Sequence, residues 1–266
     1  MIDNIILLTD FGNSSSYVGI IHGVIKSINP DVNIIDLTHQ VTPQSIIEAN
    51  YILKSSYHYF PKNSIFVSVI DPTVGSDRNI ILIKTEDYSF IAPNNGLLTN
   101  IIDDFTNSEI IEVSNNLYFL ENISNTFHGR DVFAPVAAHF SNGTKFDKFG
   151  KKLLEEDIIK KNFEPKIIKT NHNDKIIIIG QVIHIDSYGN CITNITKEKY
   201  PNIKSIRLEN KSLTYEKIYS TFSDVDIDED LIYWGSTGRI ELSVNNGNFA
   251  NKYDITLKTN IIAIIE

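Results

Sequence analysis

Several polar residues stand at the ends of apolar runs in the first half of the chain, where they could contact a ligand. Asp10 follows NIILLT. Asp71 follows SIFVSVI within IDPTVGSDR, and Arg78 comes seven residues later. Asn94-Asn95-Gly96 precedes one helical stretch, and Phe127-His128-Gly129-Arg130-Asp131 opens another. In an open α/β sheet ligands bind beyond the carboxyl ends of the strands, and these loops should gather at that edge. Each residue also has a structural reading. Asp10 before Phe11-Gly12 can form a turn or cap a helix. Asp71-Pro72 can be a plain turn, Arg78 a surface partner of Asp77, His128 a structural histidine and Arg130-Asp131 a helix cap. In the second half, Asp186-Ser187-Tyr188-Gly189-Asn190 joins two apolar stretches with turn-forming residues. Gly235-Ser236-Thr237-Gly238-Arg239 reads as a hairpin loop, and Phe222 in Thr221-Phe222-Ser223-Asp224 as an aromatic for a core.

Common cofactor signatures are absent. There is no G-x-G-x-x-G after a strand, no G-x-x-x-x-G-K-[ST] and no H-E-x-x-H. Asp10-Phe11-Gly12 matches a kinase metal-binding triplet, but the glycine loop, strand lysine and catalytic loop are missing. The single cysteine, Cys191, excludes a disulfide framework and a cysteine-cluster metal site. The expectation is no metal and no cofactor.

The elements that must position these residues follow from periodicity. Short apolar runs at Asn4–Thr9, Val32–Leu37, Ser64–Ile70 and Asn79–Lys84 read as buried strands. Tyr17–Ile28 has helical spacing and is stopped by Asn29-Pro30. Pro43 opens a second helix through about Tyr59. Asn95–Asp103 and Arg130–Phe140 read as helices, the latter with Pro135 inside. Alternation of strand and helix predicts a mainly parallel sheet covered on both faces, with ligand-binding loops at the carboxyl ends of its strands. After about residue 150 the pattern changes. Lys151–Lys175 is charged and weakly periodic. Short strands follow, at Lys175–Ile185, Cys191–Ile195, Ser205–Leu208, Asp230–Trp234, Arg239–Ser243 and Asp254–Ile265, and predict a small antiparallel barrel or sandwich. The division expected is an α/β domain over 1–160, a linker over 161–174 and a β-barrel domain over 175–266.

Composition sets the class. Of the 266 residues 42% are hydrophobic and 21% charged, a globular balance. The formal net charge is −9, and lysines between 145 and 175 are interleaved with acids, which argues against a nucleic-acid partner. No window is long and apolar enough to span a membrane, and MIDNIILLTDFG lacks the marks of a signal peptide. A soluble, cytoplasmic protein is expected.

Eight blocks occur in order: LLTDFG…YVGIIHGVI, DLTH…TPQ…EANYIL, VIDPTVGSDR, IAPNNGLLT, FHGRDVFAPVAA, IDSYGNCITNI, TFSDV and GSTGRIELSVNNGNFA. Together, from about Leu7 to Ala250, they resemble the adenosine-forming S-adenosyl-L-methionine hydrolases, or hydroxide adenosyltransferases, relatives of fluorinase and chlorinase. The resemblance implies a Rossmann-like α/β domain followed by an antiparallel β-barrel domain. It implies hydrolysis of S-adenosyl-L-methionine to adenosine and L-methionine by attack of an activated water at ribose C5′. It implies a homotrimer with sites at the subunit interfaces, and the small molecule as substrate rather than cofactor. Asp71, Arg78 and His128 match the family's catalytic residues. Asp10 would hold the ribose hydroxyls, and Asp186 and Asn190 would contact the methionine and adenine ends. Phe222 would stack near adenine, and Ser236, Glu241 and Val244 would complete the pocket. Halogenating relatives have Tyr in place of Asp71 and Ser in place of Gly129. Two departures stand out: Ser16 replaces a frequent acidic residue, and Thr73 a usual Gly. The rival readings are a halogenase of the same fold and a non-catalytic adenosine- or S-adenosyl-L-methionine-binding protein.

Overall fold

Asn4–Thr9 (β1) has Ile5, Ile6, Leu7 and Leu8 all at 0–1% exposure, so the strand is covered on both faces. Alternate side chains of a strand point to opposite faces. Ile5 and Leu7 join one core with Ile21, Ile25, Val136 and Ala137, while Ile6 and Leu8 join a second with Ala49, Leu53, Phe66 and Phe90. Burying each such aliphatic side chain contributes roughly 1.5–3 kcal/mol. Two cores on either side of one sheet make a three-layer α/β/α arrangement. The computed structural model describes residues 2–105, 107–169, 176–209, 211 and 213–265.

The chain divides into two compact units, Met1–Lys161 and Asn162–Glu266. In the first, β1 is followed by α1 (Tyr17–Ile28), β2 (Asn33–Thr38), α2 (Ile46–Ser56), β3 (Ser64–Val69), β4 (Ile80–Lys84), β5 (Tyr88–Pro93), α3 (Thr99–Asp104), β6 (Glu109–Val113), α4 (Ala134–Ser141) and β7 (Gly150–Lys152). The sheet order is β2-β1-β3-β5-β4-β6-β7. β2, β1, β3 and β5 run parallel, and β4 pairs antiparallel with both β5 and β6, as β7 does with β6. The parallel half therefore carries β1 and β3 side by side, with Asp10 and Asp71 just beyond their carboxyl ends. The mainly parallel sheet expected is parallel over four strands and antiparallel over the rest, because Glu86-Asp87 turns β4 directly back into β5.

Helix α1 ends where Asn29 departs from helical geometry, and Asn29 Nδ2 donates to Ser141 Oγ (2.9 Å), tying α1 to α4. The helix expected from Pro43 begins only at Ile46. Gln44 adopts a left-handed φ of 65°, and its N–H is directed to Asp10 instead of along a helix.

In the second unit β8 (Lys166–Lys169), β9 (Ile176–Ile185), β10 (Cys191–Thr196), β11 (Ile203–Leu208), β12 (Thr214–Tyr215), β13 (Asp230–Trp234), β14 (Arg239–Val244) and β15 (Asn260–Ile265) form one antiparallel sheet. It curls into a nearly closed barrel around Ile178, Val182, Ile206, Leu242, Phe249 and Ala263. A short helix α5 (Phe249–Tyr253) packs its Phe249 into that core. Lys166–Lys169, within the segment read as a linker, pairs with β9. Lys175, read as the start of β9, lies outside the described residues.

Candidate active site

Asp71 and Arg78 open and close the loop between β3 and β4. Arg78 Nε and Nη2 both donate to Asp71 Oδ2, at 2.8 and 2.5 Å, and the two side chains are only 5% and 9% exposed. Arg78 therefore pairs with Asp71 across seven residues, not with its neighbour Asp77. The loop doubles back tightly: Gly75 has a φ of +79°, and a Cβ there would lie 2.3 Å from the Asn125 carbonyl oxygen. That close approach brings the segment carrying His128 against the Asp71 loop.

Arg78 Nη2 lies 2.8 Å from His128 Nδ1. A guanidinium can only donate, so Nδ1 accepts and the imidazole proton sits on Nε2. Burial first, and the Arg78 charge second, lower the His128 pKa below its ordinary value of 6.5. His128 is thus a neutral imidazole that offers a proton donor at Nε2. Both Arg78 bonds fall on Asp71 Oδ2, while Oδ1 meets the Thr73 hydroxyl at 3.4 Å. Oδ1 is the oxygen left to receive a proton from a water.

His128 precedes a single π-helical turn, Gly129–Phe133, that leads into α4. Such turns recur at functional sites because they re-aim side chains. Asp131 within it is fully buried and takes Arg130 Nε (2.6 Å) and the Ser124 N–H (2.8 Å), fixing the loop before His128. Gly129 sits under an aromatic group. A Cβ there would come to 3.1 Å from Phe11 and 3.4 Å from Phe127, and Phe11, Tyr17 and Phe127 pack edge-to-face at 5.0–5.9 Å.

Asp10 Oδ2 accepts the Gln44 N–H at 2.8 Å. Burial raises its pKa above 3.8, the Gln44 bond pulls it back, and the Asp71 charge adds to the rise. Asp10 and Asp71 thus feel one another at neighbouring strand ends. Asn95 supports the same edge by donating to the Ile70 carbonyl (2.9 Å).

In the second unit Asp186, Asn190, Phe222 and Val244 line one cavity of about 660 Å³, together with Tyr188, Asn246, Gly247 and Asn248. Asp186 takes the Tyr188 and Asn190 N–H groups, both at 2.9 Å, and Asn190 Nδ2 at 2.8 Å. The turn fixes the carboxylate and the amide together. Phe222 packs against Tyr233, ring centroids 5.2 Å apart. Ser236 is exposed at the tip of the β13–β14 hairpin and does not line this cavity. Glu241, 8% exposed, accepts the Tyr233 hydroxyl at 2.6 Å beneath that hairpin. Burial pushes its pKa up, and the Asp186 charge pushes in the same direction.

The sequence profile of the SAM hydroxide adenosyltransferase N-terminal domain matches residues 5–150, and that of the C-terminal domain matches residues 180–262. The chain belongs to the SAM hydroxide adenosyltransferase family. Its relatives in that family include the (R)-S-adenosyl-L-methionine hydrolase of Methanocaldococcus jannaschii, 37% identical over 80% of this chain and 76% of that protein. The enzyme of the same name from Salinispora tropica is 28% identical over 93% and 92%. The fluorinase of Nocardia brasiliensis is 26% identical over 94% and 93%. The crystal structure of an uncharacterized conserved protein from Thermotoga maritima is similar to this chain throughout, with a TM-score of 0.85, 35% identity and coverage of 98% of this chain and 100% of that one. No helix among the described residues is long and apolar enough to cross a membrane.

Sequence reasoning missed Gln44, the partner of Asp10, and Asp131, the anchor of the His128 loop. Gln44 lay in a stretch that reads as a helix start. Asp131 was visible as an acid in the first turn of a helix, but its burial was not.

Proposed function

We propose that this chain is an S-adenosyl-L-methionine hydrolase that forms adenosine and L-methionine. The observation that carries the reading is the Asp71–Arg78–His128 cluster, in which a nearly buried carboxylate keeps one oxygen open beside a neutral imidazole donor. Water attacks ribose C5′ in line with the sulfur. The new bond is C5′–O, the C5′–S bond breaks, and its electron pair stays on sulfur as a neutral thioether. The leaving group needs no proton. The difficulty lies in the nucleophile, since free water has a pKa of about 15.7. Asp71 Oδ1 takes the water proton, His128 Nε2–H holds the water oxygen, and Arg78 keeps both partners in place. Asp10 binds the ribose hydroxyls, and Asp186, Asn190, Phe222 and Val244, which line one cavity, hold the rest of the substrate; Ser236 and Glu241 stand outside that lining.

The alternative in the same family is halide transfer, favoured by the similarity to fluorinase. A carboxylate at Asp71 repels a halide, whereas it attracts the proton of a water. A binding protein without catalysis would have no use for a carboxylate, a guanidinium and an imidazole held together at one point.

The proposed enzyme works in the cytoplasm as a homotrimer that completes each site at a subunit interface, and its reaction uses no cofactor. Light scattering should give a mass near three times 30.1 kDa; an active monomer would remove the assembly from the proposal. The activity itself is tested by incubation with S-adenosyl-L-methionine in heavy-oxygen water. Adenosine labelled at the 5′-hydroxyl and unlabelled methionine are expected. Methylthioadenosine as product, or halide-dependent turnover, would refute it.

A further inference from the structure

We propose that His22, Asp36 and His39 form a binding site for a divalent transition-metal ion of the zinc class, apart from the Asp71–Arg78–His128 cluster. The imidazole Nε2 atoms of His22 and His39 lie 2.9 and 3.0 Å from the same oxygen, Asp36 Oδ1. All three ligand atoms are within 4.8 Å of one another. Ligand atoms around tetrahedral zinc stand about 3.3 Å apart, so a small outward shift would admit the ion.

The convergence of the three ligand atoms is completed by His39. Its ring is 5% exposed, and Nδ1 lies 2.9 Å from Thr9 Oγ1. Thr9 Oγ1 also accepts the Phe11 N–H at 3.3 Å and has a second lone pair for an Nδ1 proton. With the proton on Nδ1, the Nε2 lone pair faces Asp36. Nε2 is buried, and its 3.0 Å contact is with Asp36 Oδ1. A metal ion between the three atoms would take the place of the protons that otherwise bridge them. The Thr9 bond to the remote ring nitrogen is the orienting contact that metal-bound histidines regularly have.

The backbone is shaped for this convergence. In a regular strand, residues three apart point to opposite faces. The β1–β2 pairing slips at Leu37, with Leu7 opposite Asp36 and Leu8 opposite Thr38. This bulge, rare between parallel strands, adds one residue and turns His39 to the side of Asp36. That side faces α1, which presents His22. His22 and Asp36 are 33% and 40% exposed, which leaves a path for the ion and room for water ligands. An oxygen and two imidazoles suit zinc, cobalt or nickel better than magnesium or calcium. The ion would brace the loop carrying Asp10, because the His39 carbonyl accepts the Gly12 N–H at 2.8 Å.

The test is titration of the metal-stripped protein with zinc against a chromophoric chelator, alongside cobalt substitution and X-ray absorption. One ion per chain, bound below about 1 μM, is expected, with two imidazoles in the absorption fit and a rise in thermal midpoint with zinc but not magnesium. His22→Ala and Asp36→Asn should each weaken binding at least tenfold while matching the wild type's stability in chelator. No binding at 100 μM zinc, unchanged affinity in both variants, or fewer than two imidazoles on the wild-type ion would overturn the site. The last reading needs no variant to fold.

Discussion

Replacing Arg78 by Met tests the site from two directions. The substitution removes the two bonds to Asp71 Oδ2 and the one to His128 Nδ1. Asp71, 5% exposed, then keeps only the 3.4 Å contact with Thr73. Breaking a buried ion pair by deleting one partner costs about 3–5 kcal/mol, because the remaining charge is stranded. For a unit of this size about 2–4 °C is lost per kcal/mol, so the first unit should melt roughly 6–20 °C lower. Replacing Asp71 by Asn in the same chain should restore most of that stability, since a neutral pair strands no charge. Catalysis should not return. Loss of one preorganised partner costs roughly 10²–10³ in rate, and the double variant lacks two. The second readout is His128. Its pKa is depressed in the folded chain, so it adds stability that is full above the unfolded value near 6.5 and is lost as pH falls through the folded value. Wild-type activity should hold from pH 8 down past 6.5, the ordinary imidazole value, and fall only at lower pH as His128 gains a proton. With the Arg78 charge gone, the His128 transition seen by NMR should move to higher pH. A midpoint within 2 °C of wild type together with an unmoved His128 would mean that Arg78 does not couple to either residue.

Asp10→Asn should weaken binding of ribose ligands yet leave the fold equally or more stable at pH 7. Burial raises the Asp10 pKa in the folded state, so its ionised form opposes folding once pH passes the folded value; a drop in thermal midpoint at pH 7 would contradict this. Gly129→Ser, alone or with Asp71→Tyr, should not yield halide transfer, because its Cβ meets Phe11 at 3.1 Å and forces the aromatic group to move; halogenated product from either variant would refute the packing argument. Cys191 is buried, and burial pushes its thiol up to about 12, so thiol reagents at pH 7.5 should leave the native protein unlabelled and label it on unfolding.

Much of the first unit was legible because its elements have clean periods. Asn4–Thr9 and Tyr17–Ile28 occupy the residues that their spacing predicts. Tyr88–Pro93 is buried along its whole length but was not read as a strand, since Ser89 and Pro93 break up its apolar run. Glu109–Val113 is missed for the same reason, since Glu109 and Glu112 leave only Ile110-Ile111 as an unbroken apolar pair. The strand-end rule located Asp10, Asp71 and His128 at loops but could not choose the partner of Arg78. That choice depends on the tight return at Gly75, a tertiary contact with no local signal. The left-handed Gln44 and the Leu37 bulge are likewise set by what the neighbouring strand demands, and a period drawn along one strand cannot show either.

The pairing of Arg78 with Asp71 leaves Asp10 as the one uncompensated charge of the first-unit cluster, beside a neutral His128. A sulfonium substrate arrives as a cation at sulfur, whereas adenosine is neutral and methionine leaves as a zwitterion with an uncharged thioether. On the proposed function, the attraction between that carboxylate and the sulfonium ends with the reaction itself. Chemistry at C5′ switches off part of its own binding energy, and the products depart from a site that favours the next cation over either of them.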